Sequence, residues 1–206
     1  MDNKPIIDTF SFERRLHQDG LMPVAGVDEA GRGPLAGPVV AGAVILTADL
    51  DHTPFKDSKK MTAKGREKVF ALLEELQVPM AVGICSAQEI DEINILQASL
   101  LAMKRAVAEL SQSPAFLLVD GKFTIKMDLP QEALIKGESK SASIAAASIV
   151  AKVTRDRLMF DYDVQYPLYN FKQHKGYPTK AHKAVIAEHG PCPIHRLSFK
   201  GVQEHV

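Results

Sequence analysis

The sequence is poor in cysteine, and its charges cancel. Its 206 residues include two cysteines, Cys85 and Cys192, without CxxC spacing or metal-ligand neighbours. That excludes a disulfide framework and a cysteine-ligated zinc site, and it fits reduced thiols in a cytosolic protein. Lys+Arg and Asp+Glu number 25 each, so the formal net charge is zero. A uniformly basic nucleic-acid binder is thereby excluded, though a local asymmetry of charge is not. No apolar run reaches transmembrane length, so no membrane attachment is expected. The N-terminus carries Asp2 and Asp8 and has no apolar signal core, so no secretion signal is expected. Internal repeats and low-complexity segments are lacking too. What remains is 46% hydrophobic and 24% charged, enough for an ordinary globular core in one domain. The expectation is a cytoplasmic monomer.

One stretch organises the rest, Val24-Ala-Gly-Val-Asp-Glu-Ala-Gly-Arg-Gly-Pro34. Val24 and Val27 supply the β-branched content of a buried strand, and Gly31-Arg32-Gly33-Pro34 cannot continue it. Between strand and turn sit adjacent carboxylates, Asp28 and Glu29. Carboxylates at the end of an apolar strand suffer desolvation unless positive charge joins them, and a divalent metal is the usual remedy where several converge. Gly31 and Gly33 would let a ligand approach bare backbone amides.

Taken in order, residues 1–10 read as a loose arm. Residues 12–18 read as a short helix, with Ser11 as N-cap and Gly20 as its stop. The organising strand spans about 23–29, and residues 38–46 form a second strand antiparallel to it. A loop and a polar turn, 56–60, precede a helix over 62–76 with Val69, Leu72, Leu73 and Leu76 on one stripe. Residues 80–85 form a third strand. The capping box Ser86-Ala-Gln-Glu89 opens a short helix, and a longer helix follows over about 96–110. Phe116 to Asp120 is a fourth strand that again ends in a carboxylate before a glycine. Residues 133–136 are a fifth, ending at Gly137-Glu138. A helix rich in small residues covers 141 to about 162, and its composition reads first as plain close packing. Residues 166–178 form a loop, and Thr179 caps a helix that ends at His189-Gly190. The tail beyond is irregular and packs on the body. The class is α/β, with a mixed five-stranded sheet flanked by helices.

Asp28, Glu29, Asp120 and Glu138 therefore lie at strand ends that adjacent central strands would bring together. Neighbouring residues on a regular strand face opposite ways. Asp28 and Glu29 thus share a metal site only if the chain bends there or one offers its backbone carbonyl. Such a cluster suits two Mg²⁺ or Mn²⁺ ions, which clamp the attacking and leaving oxygens of a phosphodiester. Two segments are locally basic. One holds Lys56, Lys59, Lys60, Lys64, Arg66 and Lys68 against Asp57 and Glu67. The other holds Lys172, Lys175, Lys180, Lys183, Arg196 and Lys200 with four histidines against Glu188. Solvated helix faces explain either alone; both together fit a track for a phosphate backbone. In His174-Lys175-Gly176-Tyr177-Pro178-Thr179 a ring precedes a helix N-terminus. It either covers that helix end or offers a platform to a sugar or base.

Asp-Glu-Ala-Gly-Arg-Gly-Pro (28–34), Asp-Ser-Lys-Lys (57–60), Val-Asp-Gly (119–121), Ala-Ala-Ala-Ser-Ile-Val-Ala-Lys-Val-Thr-Arg-Asp (145–156) and His-Lys-Gly-Tyr-Pro-Thr (174–179) stand in an order and spacing that resemble bacterial ribonuclease HII. The resemblance covers nearly all of residues 12–200. It implies a ribonuclease H-like fold: one catalytic domain over 1–206, with residues from about 165 onward forming a helical, substrate-binding C-terminal part. It implies endonucleolytic cleavage of RNA in RNA–DNA hybrids and 5′ of ribonucleotides embedded in duplex DNA, leaving 3′-hydroxyl and 5′-phosphate ends. By the same resemblance Asp28, Glu29 and Asp120 are metal ligands. Glu138 stands where the family usually has Asp, one methylene shorter. Gly31, Arg32 and Gly33 would contact the ribose 2′-hydroxyl through their backbone, and Tyr177 would help read the junction; of the basic segments, Lys59 is a candidate for phosphate contact. Two alternatives stay open, a two-metal nuclease that cuts all-DNA duplexes and a non-catalytic hybrid-binding module with a structural cation.

Overall fold

The structure is a computed structural model and describes residues 8–206. Most of the expected loose arm, residues 1–7, lies outside the described residues. Residues 8–10 are packed: Phe10 is buried and stacks on His52, and the Thr9 carbonyl accepts from Ala142 N–H. Helix α1 (Ser11–Gln18) begins one residue earlier than expected. Ser11 is its first residue and not its cap, because Asp8 already accepts the Phe10 N–H. Glu13 on α1 is fully buried. Its Oε1 accepts from Ser141 Oγ at 2.6 Å and from Ser143 N–H at 2.9 Å. A carboxylate is thereby set against the N-terminus of a later helix, where the macrodipole favours it.

The sheet consists of β1 (Val24–Ala30), β2 (Val39–Ile45), β3 (Met80–Cys85), β4 (Phe116–Asp120) and β5 (Gln131–Leu134), in the order β3-β2-β1-β4-β5. β2 is antiparallel to β1 and to β3, whereas β4 runs parallel to β1 and to β5. β1 is central, with Val27 opposite Val119, so Asp28 and Asp120 leave the sheet side by side. β5 starts and ends two residues before its expected span. Lys136 takes a left-handed conformation (φ 58°) that no strand continues through, and Glu138 sits beyond it in a single 3₁₀ turn.

α2 (Ala63–Glu75), capped by Thr62, buries Val69, Phe70 and Leu73; Leu76 is exposed, because the stripe rotates toward Phe70. α3 (Ala87–Ala108) contains both expected helices, joined at Asn94. There φ is 66°, and the side chain accepts from Leu96 and Gln97 N–H. Asn94 thus ends one helix and caps the next. α4 (Ala142–Gln165), capped by Ser141, carries the small-residue run. It lies so close to β1 that a Cβ on Gly26 would come 2.1 Å from the Ser143 carbonyl carbon. The run is close packing first, as its composition suggested. The expected loop 166–178 instead contains a 3₁₀ turn (Pro167–Tyr169) and α5 (Phe171–His174), too short to leave a periodic signal. α6 (Lys180–His189) begins at the Thr179 cap. The segments after α4 share a small apolar core with Leu35, Ala36 and Met159, built on Tyr169, Phe171, Ile186, Cys192, Ile194 and Val202. Among the described residues no helix is long and apolar enough to cross a membrane.

Candidate active site

Three of the expected acids meet. Asp28, Asp120 and Glu138 each offer a carboxylate oxygen, and these oxygens lie within 4.8 Å of one another. β1 and β4 supply the first two from adjacent parallel strands, and the turn after β5 supplies the third. The Gly137 N–H donates to Asp120 Oδ1 at 2.6 Å, so the turn that carries Glu138 is tied to the strand that carries Asp120. Asp28 is buried. Burial, then the negative charges of Glu29 and Asp120, push its carboxyl well above the usual range against the pull of the Ser148 hydroxyl and the Glu29 N–H. Burial raises Asp120 too, with Glu138 adding to the rise and the Gly137 N–H opposing it.

Glu29 lies outside this trio. The strand stays regular through Ala30, so the bend that would fold Glu29 onto Asp28 is absent. Its carboxylate leans on Arg32, 3.3 Å away. Burial raises its pKa, Arg32 lowers it, and the charge of Asp120 raises it again, so the field of the cluster reaches it. Lys59 Nζ is 3.5 Å from Glu138 Oε1. These two cations only partly offset four acids.

Beside the acids opens a groove of about 210 Å³ lined by Glu29 to Gly33, Ser58, Lys59, Ser148, Lys152 and Tyr177. It brings together the glycine turn, Lys59 and Tyr177, which are remote in sequence. Tyr177 is 43% exposed, and its ring would stand 3.8 Å from a Cβ added to Gly33. Ser58 and Ser148 share a hydrogen bond of 2.7 Å under the groove. Larger cavities elsewhere, such as the 430 Å³ one beside His17 and Ile45, carry no comparable set of acids.

The turn is held by two arginines that sequence reasoning passed over. Arg196 is fully buried. It donates to the carbonyls of Gly31, Arg32, Pro34 and Gly37 at 2.6–3.0 Å. Arg155, equally buried, donates to Pro38, Ala36 and Lys175 at 3.0–3.1 Å. Gly31 has φ 99°, and a Cβ there would lie 2.1 Å from Arg155 Nε, so the guanidinium occupies the space a side chain would need. Burial lowers Arg155 to about 10 and Arg196 to about 9, so both stay charged at neutral pH. Arg196 therefore does not belong to the expected basic track. His182 and His195 leave it as well, buried and with burial pushing both to about 4. The exposed remainder includes Lys56, Lys59, Lys60, Lys64, Lys68, Lys172, Lys180 and Lys183. Arg155 stands inside one of the quoted motifs and Arg196 inside a basic segment, but only the folded turn supplies the carbonyls that bury them.

The family model described as ribonuclease HII matches residues 25–202. The chain belongs to the ribonuclease HII family. It is 59% identical over 202 residues to ribonuclease HII of Desulfotalea psychrophila, a match covering 97% of this chain and 90% of that one. To ribonuclease HII of Syntrophotalea carbinolica it is 53% identical over 195 residues, 95% and 93% of the two chains. Its structure resembles ribonuclease H2 from Pyrococcus horikoshii, with a TM-score of 0.73, 29% identity, and coverage of 89% and 96%. Ribonuclease HII in a PCNA complex from Archaeoglobus fulgidus is similar at a TM-score of 0.70 and 26% identity, with coverage of 87% and 96%. As a ribonuclease HII, the chain is a divalent-metal-dependent endonuclease with the α/β ribonuclease H-like fold, and it hydrolyses RNA in RNA–DNA hybrids.

Proposed function

We propose that Asp28, Glu29, Asp120 and Glu138 hold two divalent cations, Mn²⁺ or Mg²⁺, and that the adjoining groove receives the strand containing the ribonucleotide. The observation that carries this is the convergence of three carboxylates within 4.8 Å, where burial and like charge raise Asp28 and Asp120. The donor set fits the ions: all oxygens, all hard, and short of neutralising charge. Bound there, the ions supply the charge that activates a water and steadies the departing 3′-oxygen. With no bend in the strand, Glu29 joins the set from the rim by the remaining route, its backbone carbonyl, while its carboxylate feels the same field. Glu138, on a turn and not a strand, has room for its extra methylene.

The chain's own groups orient the substrate. The backbone of Gly31, Arg32 and Gly33, fixed by Arg196, contacts the ribose 2′-hydroxyl, the group by which a protein tells RNA from DNA at one position. Tyr177 packs on the sugar beside it, and Lys59 meets a phosphate close to Glu138. Cleavage then falls 5′ of the ribonucleotide, in a hybrid or in duplex DNA, and leaves 3′-hydroxyl and 5′-phosphate ends. Within the single domain, residues from about 165 onward form the substrate-binding part. Their support is the core they share with Leu35 and Ala36, and the Leu35 N–H that donates to the Gly176 carbonyl beside Tyr177. A cytoplasmic monomer is the proposed state; both cysteines are buried and unpaired, as a reducing compartment allows.

The test uses three duplexes: all-DNA, DNA with one ribonucleotide, and a full hybrid, each with Mn²⁺, with Mg²⁺ and with chelator. Metal-dependent cutting of the last two alone is expected. Equal cutting of plain DNA, or cutting in chelator, overturns the reading.

A further inference from the structure

Behind Tyr177 runs a chain of hydrogen bonds that the reaction itself does not use. His182 Nδ1 is 2.9 Å from the Tyr177 carbonyl oxygen, and its Nε2 is 3.0 Å from His195 Nε2. The Cys192 N–H donates to His195 Nδ1 at 2.9 Å, with the Cys192 sulfur 3.1 Å from the same nitrogen. Both rings are buried, and His174, Tyr169 and Phe171 pack around them. The partners fix every proton. A carbonyl only accepts, so His182 carries its hydrogen on Nδ1 and leaves Nε2 bare. The bare His182 Nε2 takes its hydrogen from His195 Nε2, which leaves His195 Nδ1 to accept from the Cys192 N–H at 2.9 Å, nearer than the Cys192 carbonyl at 3.3 Å. The order runs one way, from the Cys192 amide through His195 and His182 to the Tyr177 carbonyl. A further proton on His182 would set two N–H groups face to face.

Neighbouring carbonyls are held too. Arg155 takes that of Lys175, and Leu35 N–H takes that of Gly176 at 2.8 Å. Arg155 and Leu35 bind this segment to the turn; the carbonyl of the tyrosine itself accepts from Thr179 N–H at 2.8 Å and from His182, the side-chain contact that ties it to the C-terminal segment.

We propose that His182 and His195 are positioning residues for Tyr177, and that their fixed proton order holds its ring over Gly33 and so supports discrimination of a single embedded ribonucleotide from a continuous hybrid. This rests on Tyr177 as the residue that reads the junction. Without its donor from His195, His182 Nε2 is left a buried acceptor with no partner, and the ring gains by turning toward one, which takes its Nδ1–H away from the Tyr177 carbonyl.

The readout is the ratio of kcat/KM on a single-ribonucleotide duplex to kcat/KM on a full hybrid. His195→Leu is expected to lower that ratio at least about fivefold, the lower end of what stacking on an aromatic supplies. His195→Gln, whose amide N–H replaces Nε2–H, is expected to keep it. In a Tyr177→Ala background His195→Leu is expected to change the ratio no further, since its effect passes through the ring. If His195→Leu does not fold, His195→Asn removes the same donor, because its shorter amide reaches only the Nδ1 position. Equal losses on both substrates with only a lower melting temperature overturn the proposal, as does a further change of ratio in the Tyr177→Ala background. A ratio that responds to Tyr177→Ala but not to His195→Leu overturns it alone; a ratio unmoved by Tyr177→Ala overturns the reading of the tyrosine, and the proposal with it.

Discussion

Two groups of charges are buried within a few residues of each other, and they are treated in opposite ways. At the strand ends, carboxylates crowd together with too few cations, and burial drives Asp28 and Asp120 upward. Under the adjoining turn, Arg155 and Arg196 are as deeply buried, yet each lies among carbonyl oxygens that accept its hydrogens. A buried charge whose hydrogen bonds are met is a rigid brace. A buried charge that repels its neighbours is held in place by the rest of the fold, and it is relieved only when something positive arrives. The stretch from Asp28 to Gly37 thus joins a place of unbalanced negative charge to a braced scaffold, and removing charge should act oppositely in the two.

The largest contrast is expected from Asp28→Asn and Asp120→Asn. Cleavage should fall on the order of 10³-fold or more, the upper range for losing one electrostatic group at a reacting centre. The metal-free melting temperature should stay level or rise, since like charge is removed. Added Mn²⁺ should raise the melting temperature of the wild type and not of the variants. Wild-type turnover by either variant in Mg²⁺ would place the metals elsewhere.

Arg196→Met should do the reverse in kind. It strands the carbonyls of residues 31–37 and should cost about 3–5 kcal/mol in urea unfolding, the penalty for breaking a buried charged network. A loss below about 1 kcal/mol would mean that the turn holds its own shape, and the brace would be no brace. A smaller step tests Glu138, at the edge of the acid group. Glu138→Gln should lose about 10²-fold in kcat/KM, whereas Glu138→Asp should remain within about tenfold of wild type. Equal activity of Gln and Glu would remove this residue from the metal site.

The smallest effect concerns the exposed cations, which belong to neither group. Binding of an uncleaved hybrid should weaken as salt rises despite the zero net charge, and Lys180→Ala should reduce the slope by about one unit. A flat slope in the wild type would end the idea of a basic track.

The strand-end places of Asp28 and Asp120 were legible in the sequence because local rules set them. An apolar run followed by a carboxylate and, within three residues, a glycine reads as a strand end, and two such runs predict two neighbours. Ser86, Thr62 and Thr179 announced their helices for the same reason, since capping is a matter of three or four residues. The braces were illegible because their partners are remote. Nothing near Arg196 in sequence marks it as buried, and its acceptors lie more than 150 residues away. The three bases that left the track, Arg196, His182 and His195, are those for which tertiary structure and not composition decides exposure. Arg66 illustrates the middle case, half-buried and tied to Asp156 and to the Ser58 and Met61 carbonyls. Glu13 eluded notice likewise, because the helix end it meets begins at residue 142. Asn94 left a signal that composition hides, a polar residue between two apolar stripes.

The separation between Arg196 and the turn has a consequence for how the chain comes into being. Gly31 and Arg196 are 165 positions apart. During synthesis, at about 5–20 residues per second, the turn leaves the ribosome roughly 8–33 s before its brace is made. The sheet, the acids and α4 are complete well before then, but four carbonyls of the turn wait for one late side chain. A nascent chain therefore gains its cluster of acids before the turn beside them is braced, and the shape of the groove is the last thing to be installed.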